Sequence, residues 1–147
     1  MSSPAAPGVW FGVDVGTVRV GVARTDVHQL LATPVTTLAR DVVGGTDLDR
    51  LAALIEEYEA VGVVIGLPKT LANREGPSAI LARDYARELA ARIAPIPIEM
   101  CDERLTTTTA ERRLSSRGLR GKALRAVVDQ AAAVVILQHW LDSRPPR

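Results

Sequence analysis

Four acids in this 147-residue sequence stand where a carboxylate costs free energy unless something compensates it. Asp14 lies inside the apolar run from Val9 to Val15, directly between Val13 and Val15. Its side chain is expected at the edge of a core, where a charge must be paired or bound to a metal. Asp102 and Glu103 follow a second apolar run, Ile96 to Cys101. Successive strand residues face opposite ways, so only one of the two can join Asp14 on a shared face if the strand persists that far. Asp129 heads an apolar helix face that continues through Ala133 and Ile136, at the i+4 and i+7 spacing of one helical stripe.

Each acid also has an ordinary structural role open to it: Asp14 as a strand-end turn residue, Asp129 as a helix-capping charge, Glu103 as an ion-pair partner of Arg104. As a set they say more. Three carboxylates converging from separate segments repel one another, and a divalent cation removes that repulsion. The expected ligand set is Asp14, Glu103 and Asp129, with Asp102 as the alternative to its neighbour. Hard oxygen donors suit Mg²⁺ or Mn²⁺, and the absence of a Cys/His cluster in the sequence argues against zinc. His28 and His139 stand alone and far apart, and read as surface or packing residues.

A second feature concerns charge. From Arg112 to Arg125 the chain carries Arg112, Arg113, Arg117, Arg120, Lys122 and Arg125 with no acid, so this stretch is +6 within a chain of net charge +1. Segregation of that kind is an electrostatic footprint for phosphate. A solvated helix face and loop in an Arg-rich sequence accounts for it equally well.

The elements that must position these residues follow from periodicity. Val9–Val15 and Arg19–Ala23, separated by Gly16-Thr17, read as a β-hairpin. Thr33–Leu38 is rich in β-branched residues and reads as a third strand, with a Gly-containing loop from Asp41 to Asp47. Apolar residues at 48, 51, 52, 54 and 55 have helical spacing. Val61–Gly66 reads as a buried strand, closed by Leu67-Pro68; Pro77 opens a helix to about Arg92; and Ile96–Cys101 is a fifth strand. Thr108 and Glu111 have capping-box spacing, and Leu114–Gly121 reads as a mobile basic loop. The last helix is expected from about Lys122 to Leu141. This order implies an α/β fold in which helices flank a mixed five-stranded sheet.

Length and composition set bounds. The chain is expected to form one domain over residues 1–147, with flexible ends at 1–8 and 143–147, since domains commonly run to ~100–150 residues. Hydrophobic residues make up 47% and charged residues 24%, which excludes a disordered chain. Neither a membrane span nor a secretory leader is visible, and cytoplasmic location is the expectation. The single cysteine, Cys101, reads as a core thiol. Only five aromatics occur, and several look like core, so base stacking is a poor basis for binding nucleic acid.

Four segments together, Gly12-Val-Asp-Val-Gly-Thr-Val-Arg-Val-Gly-Val-Ala23, Gly66-Leu-Pro68, Asp102-Glu-Arg-Leu-Thr-Thr107 and Asp129-Gln-Ala-Ala-Ala-Val-Val-Ile-Leu137, strongly resemble the YqgF family, also called RuvX. The match spans Val9 to Asp142 in the right order. The resemblance implies a ribonuclease H-like fold related to the RuvC junction resolvases. It places the family's acids on Asp14, Glu103 and Asp129, and it sets Lys69 to Gly76 in a loop beside the site. Lys69, Arg74 and Arg104 therefore join the basic segment as candidate nucleic-acid contacts.

The implied activity is metal-dependent endonucleolytic cleavage of structured nucleic acid, in maturation of the 5′ end of 16S ribosomal RNA or in resolution of four-way DNA junctions. Precursor ribosomal RNA is the preferred substrate, and the protein is expected as a monomer or weak homodimer. Two rivals belong to other classes. A nucleotide-binding lobe of the actin and sugar-kinase type would explain Asp14-Val-Gly-Thr17, but the sequence has no second Asp-x-Gly loop. A non-catalytic nucleic-acid or ribosome-assembly binder would keep the acids only as structure.

Overall fold

The structure is a computed structural model that describes residues 7–69, 74–103 and 121–144; for Glu103 and residues 121–127 it describes the backbone alone. Strands β1 (Trp10–Val15), β2 (Arg19–Thr25) and β3 (Ala32–Ala39) form an antiparallel meander. Helix α1 (Thr46–Glu57) leads to β4 (Gly62–Pro68), and α2 (Pro77–Ile93) leads to β5 (Ile98–Glu103). β4 runs parallel to both β1 and β5, giving one mixed sheet in the order β3-β2-β1-β4-β5. Helix α3 (Gly121–Asp142) closes the described chain.

Alternation along the strands separates two faces. Phe11, Val13, Val15, Val20, Val22, Val63, Ile65 and Leu67 pack with Leu51, Ile55, Tyr85 and Leu89 of α1 and α2 in the larger core. The intervening positions meet α3, where Ala23, Val64 and Cys101 pack with Ala133, Ile136 and Leu137. The result is a helix–sheet–helix sandwich. Ala133 and Ile136, expected on the inner stripe of the last helix, are both buried there, and Cys101 is the expected core thiol.

The hairpin and third strand stand where periodicity put them: β1 starts one residue later than its apolar run, β2 ends two residues later than expected, at Thr25, and β3 is one residue longer at each end. Four expectations need correction. Asp102 and Glu103 do not follow β5 but end it, because parallel pairing continues through Leu67↔Asp102 and Pro68↔Glu103. Leu67 and Pro68, read as closing the fourth strand, therefore belong to it. The fifth strand begins at Ile98, two residues later than its apolar run, since Pro95 and Pro97 have no amide to give to a ladder. Gly121, read as loop, opens α3. The expected capping box at Thr108 and Glu111, and the rest of the basic loop, lie outside the described residues.

Candidate active site at the open end of the central strand

Asp14 is the fifth residue of β1, the central strand. Its neighbours Val13 and Val15 point into the larger core, so Asp14 faces α3, half-buried. Directly across the antiparallel pair stands Gly21. A Cβ built on Gly21 would lie 1.9 Å from the main-chain oxygen of Asp129. Only the missing side chain lets α3 descend onto β2, and this contact seats Asp129 on the face that carries Asp14. Gly12 plays the same part further along, where a Cβ would come within 2.6 Å of Leu137 Cβ.

Gly21→Ala is therefore expected to lift α3 from the sheet. The gain from a less flexible unfolded chain, ~0.4–1 kcal/mol, is outweighed by forcing an atom into a packed backbone contact, which costs ~1–3 kcal/mol or more. Urea unfolding should show a net loss, and a variant as stable as the parent would contradict the close approach.

Asp129 carries a partner that sequence reasoning missed. The Arg19 Nε donates to Asp129 Oδ2 at 2.7 Å, with the two side chains 29% and 21% exposed. Arg19 opens β2 and shares the α3 face with Gly21 by alternation. That spacing was the available signal, although nothing local links positions 19 and 129.

The two members of the Asp102–Glu103 pair separate by register. Asp102 falls on the face of Ile98 and Met100, which pack against the larger core, and it forms an ion pair with Lys69 at 3.2 Å. Position 103 alternates to the face of Cys101, the α3 side. Among the described residues no three His, Cys, Asp or Glu side chains form a group able to hold a metal, and the Glu103 side chain lies outside them. Of the expected nucleic-acid contacts, Lys69 is engaged with Asp102, and Arg74 is exposed just ahead of α2. Lys122 and Arg125 lie on the first turns of α3, while Arg104, Arg112, Arg113, Arg117 and Arg120 fall outside the described residues.

A buried arginine fastens the turn that follows Asp14. Arg40 donates from its backbone N–H to the Val18 carbonyl at 2.9 Å and from Nη1 to the Gly16 carbonyl at 3.2 Å. Its Nε lies 3.3 Å from Asp47 Oδ2, with only 8% and 1% of the two side chains exposed, though these two atoms are not aligned as a hydrogen bond. The guanidinium also lies over the Tyr85 ring, 5.0 Å from its centroid. Burial first, and the Asp47 charge second, hold the Tyr85 phenol well above its ordinary range. This cluster, on the α1–α2 side, braces the β1–β2 turn from beneath. A groove of about 560 Å³ between α1 and α2, lined by Ile55, Glu56, Glu59, Arg92 and Ile96, lies on the same side, away from the acids' face.

Comparison with known proteins fits this architecture. The model of a family described as "RuvX: Holliday junction resolvase" matches residues 8–143. A Frankia casuarinae protein named "Putative pre-16S rRNA nuclease" is 56% identical over 136 residues, spanning 92% of this chain and 67% of that protein. A Mycobacterium ulcerans protein of the same name is 59% identical over 133 residues, covering 90% and 78%. Among solved structures, Thermus thermophilus RuvC in complex with a Holliday junction superposes with a TM-score of 0.57 at 16% identity, covering 92% of this chain and 95% of that one. A likeness at that identity speaks for the fold, which is ribonuclease H-like, with a mixed five-stranded sheet flanked by helices. None of the described helices is long and apolar enough to cross a membrane. With nearly its whole length matched and relatives above half identity, the chain belongs to the RuvX family of nucleases.

Proposed function

We propose that this protein is a divalent-metal-dependent endonuclease acting on structured nucleic acid, with precursor 16S ribosomal RNA as its substrate. The observation that carries the reading is the placement of Asp14 and Asp129 on one face, with Gly21 removing the side chain that would keep their elements apart. The register of β5, which sets position 103 on that face and Asp102 on the other, supports Glu103 as the third ligand. An all-carboxylate donor set fits Mg²⁺ or Mn²⁺. Asp14, Glu103 and Asp129 would hold the metal, which supplies activation of water and stabilisation of the leaving 3′ oxygen in phosphodiester cleavage.

The chain's own residues do the rest. Arg40 and the Gly16 carbonyl hold the turn after Asp14 in place. Lys122 and Arg125 begin the helix that carries Asp129, so phosphates flanking the scissile bond would meet cations ahead of the acids. Phosphate contact of this kind suits a folded RNA or a junction better than an unstructured strand. The relatives' names favour ribosomal RNA; the family description keeps four-way junctions as the competing substrate.

The deciding experiment offers purified protein a precursor 16S RNA and a four-way DNA junction, each with Mn²⁺, with Mg²⁺ and with EDTA, and maps the cut sites. Metal-dependent cuts near the RNA 5′ end are expected. Paired symmetric nicks in the junction, from a twofold dimer and without RNA cleavage, would transfer the assignment to junction resolution. Absence of any cut would leave the protein a binder.

A further inference from the structure

Among the described residues, Asp129 is the only group that holds the Arg19 guanidinium, through one hydrogen bond from Nε. Arg40 provides the contrast, being fastened by Asp47, the Gly16 carbonyl and the Tyr85 ring. An anchored arginine can orient a carboxylate. A guanidinium held only by that carboxylate cannot orient it; it can only neutralise it. The Asp129 main chain, for its part, is seated on Gly21 independently of Arg19. The pair is also open to water, at 29% and 21% exposure, so the guanidinium can swing into solvent without crossing a core. A single ion pair with access to water is readily exchanged for other partners.

We propose that Arg19 is a displaceable counter-ion: it neutralises Asp129 until a divalent cation takes the carboxylate, and the released guanidinium then grips a phosphate oxygen of the nucleic acid. This inference rests on the metal-site reading above. A guanidinium and a divalent cation on one half-buried carboxylate repel each other, so loading the cation favours release. The freed side chain starts from the first residue of β2, beside exposed Thr17 and Val18. Its planar fork of donors matches phosphate oxygens as a lysine ammonium does not.

The test uses Arg19→Gln and Arg19→Lys with two readouts besides cleavage. By titration calorimetry without nucleic acid, Arg19→Gln is expected to bind Mn²⁺ about three- to tenfold more tightly than the parent, since a competing charge is gone. Arg19→Lys keeps the charge and should bind Mn²⁺ like the parent. By fluorescence anisotropy on an RNA hairpin, parent and Arg19→Gln should have equal affinity in EDTA and differ about tenfold in Ca²⁺, because the arginine reaches phosphate only when displaced. Arg19→Lys should lose most of that cation-dependent gain. Equal or weaker Mn²⁺ binding by Arg19→Gln, with normal binding by the parent, overturns the counter-ion role and leaves the metal site standing. A difference in RNA affinity already present in EDTA overturns the displacement. Failure of the parent to bind Mn²⁺ overturns the metal site and this inference with it.

Discussion

Asp14→Asn should lower phosphodiester cleavage about a thousandfold or more while the protein keeps its fold. The substitution preserves volume and removes charge, and charge is what a metal ligand contributes. Loss of the several kcal/mol that a bound cation supplies at the reacting phosphate corresponds to three or more powers of ten in rate. The parent should melt higher on adding Mn²⁺, because a ligand bound by the native state stabilises it by ~1.4 kcal/mol at ten times Kd; the variant should gain much less. In EDTA the variant should melt no lower than the parent. The relief it brings is moderated by Arg19, which already balances Asp129. Parallel cleavage assays, melting curves and circular dichroism check this. Normal cleavage by a folded Asp14→Asn protein would remove Asp14 from the site.

Arg40→Met carries the largest expected effect on stability. It leaves the Asp47 carboxylate, 1% exposed, without its ion-pair partner, and stranding a buried charge in this way costs about 3–5 kcal/mol. The same change removes the donor to the Gly16 carbonyl, so the turn after Asp14 loosens as well. Arg40→Met combined with Asp47→Leu should recover much of the loss, since replacing both members of a buried pair by apolar groups is far less costly than orphaning one. Urea unfolding of the two single variants and the double variant closes the cycle. A single variant within 1 kcal/mol of the parent would show that water reaches Asp47.

Much of this architecture is written in local pattern. The run from Val9 to Ala23 predicted a hairpin with Asp14 at the edge of a core, and the helical spacing after Asp129 predicted the buried stripe of Ala133 and Ile136. Partnership across long separations is not carried by periodicity. Arg19 and Asp129 are 110 residues apart, and Gly21 looks like any strand glycine until a helix is known to descend on it. The Arg40–Asp47 pair was hidden for a different reason: a stretch with glycines and exposed valines reads as solvent-facing loop, and the buried ends of that loop have no spacing signature. Which of positions 102 and 103 shares the face of Cys101 depends on where β5 stops, and it stops later than the apolar run because β4 keeps pairing with it through Pro68.

Asp14 and Asp129 are borne by different layers of this fold. Asp14 belongs to the central strand, locked beneath by the larger core, whereas Asp129 rides on a helix that, among the described residues, meets the opposite face through Ala133, Ile136 and Leu137. Elements packed in separate cores can open separately. Lifting α3 from Gly12 and Gly21 would part the two carboxylates without disturbing the core beneath Asp14. The spacing of these acids is therefore a property of how one helix sits on the sheet, and a substitution anywhere along that seat reaches both of them.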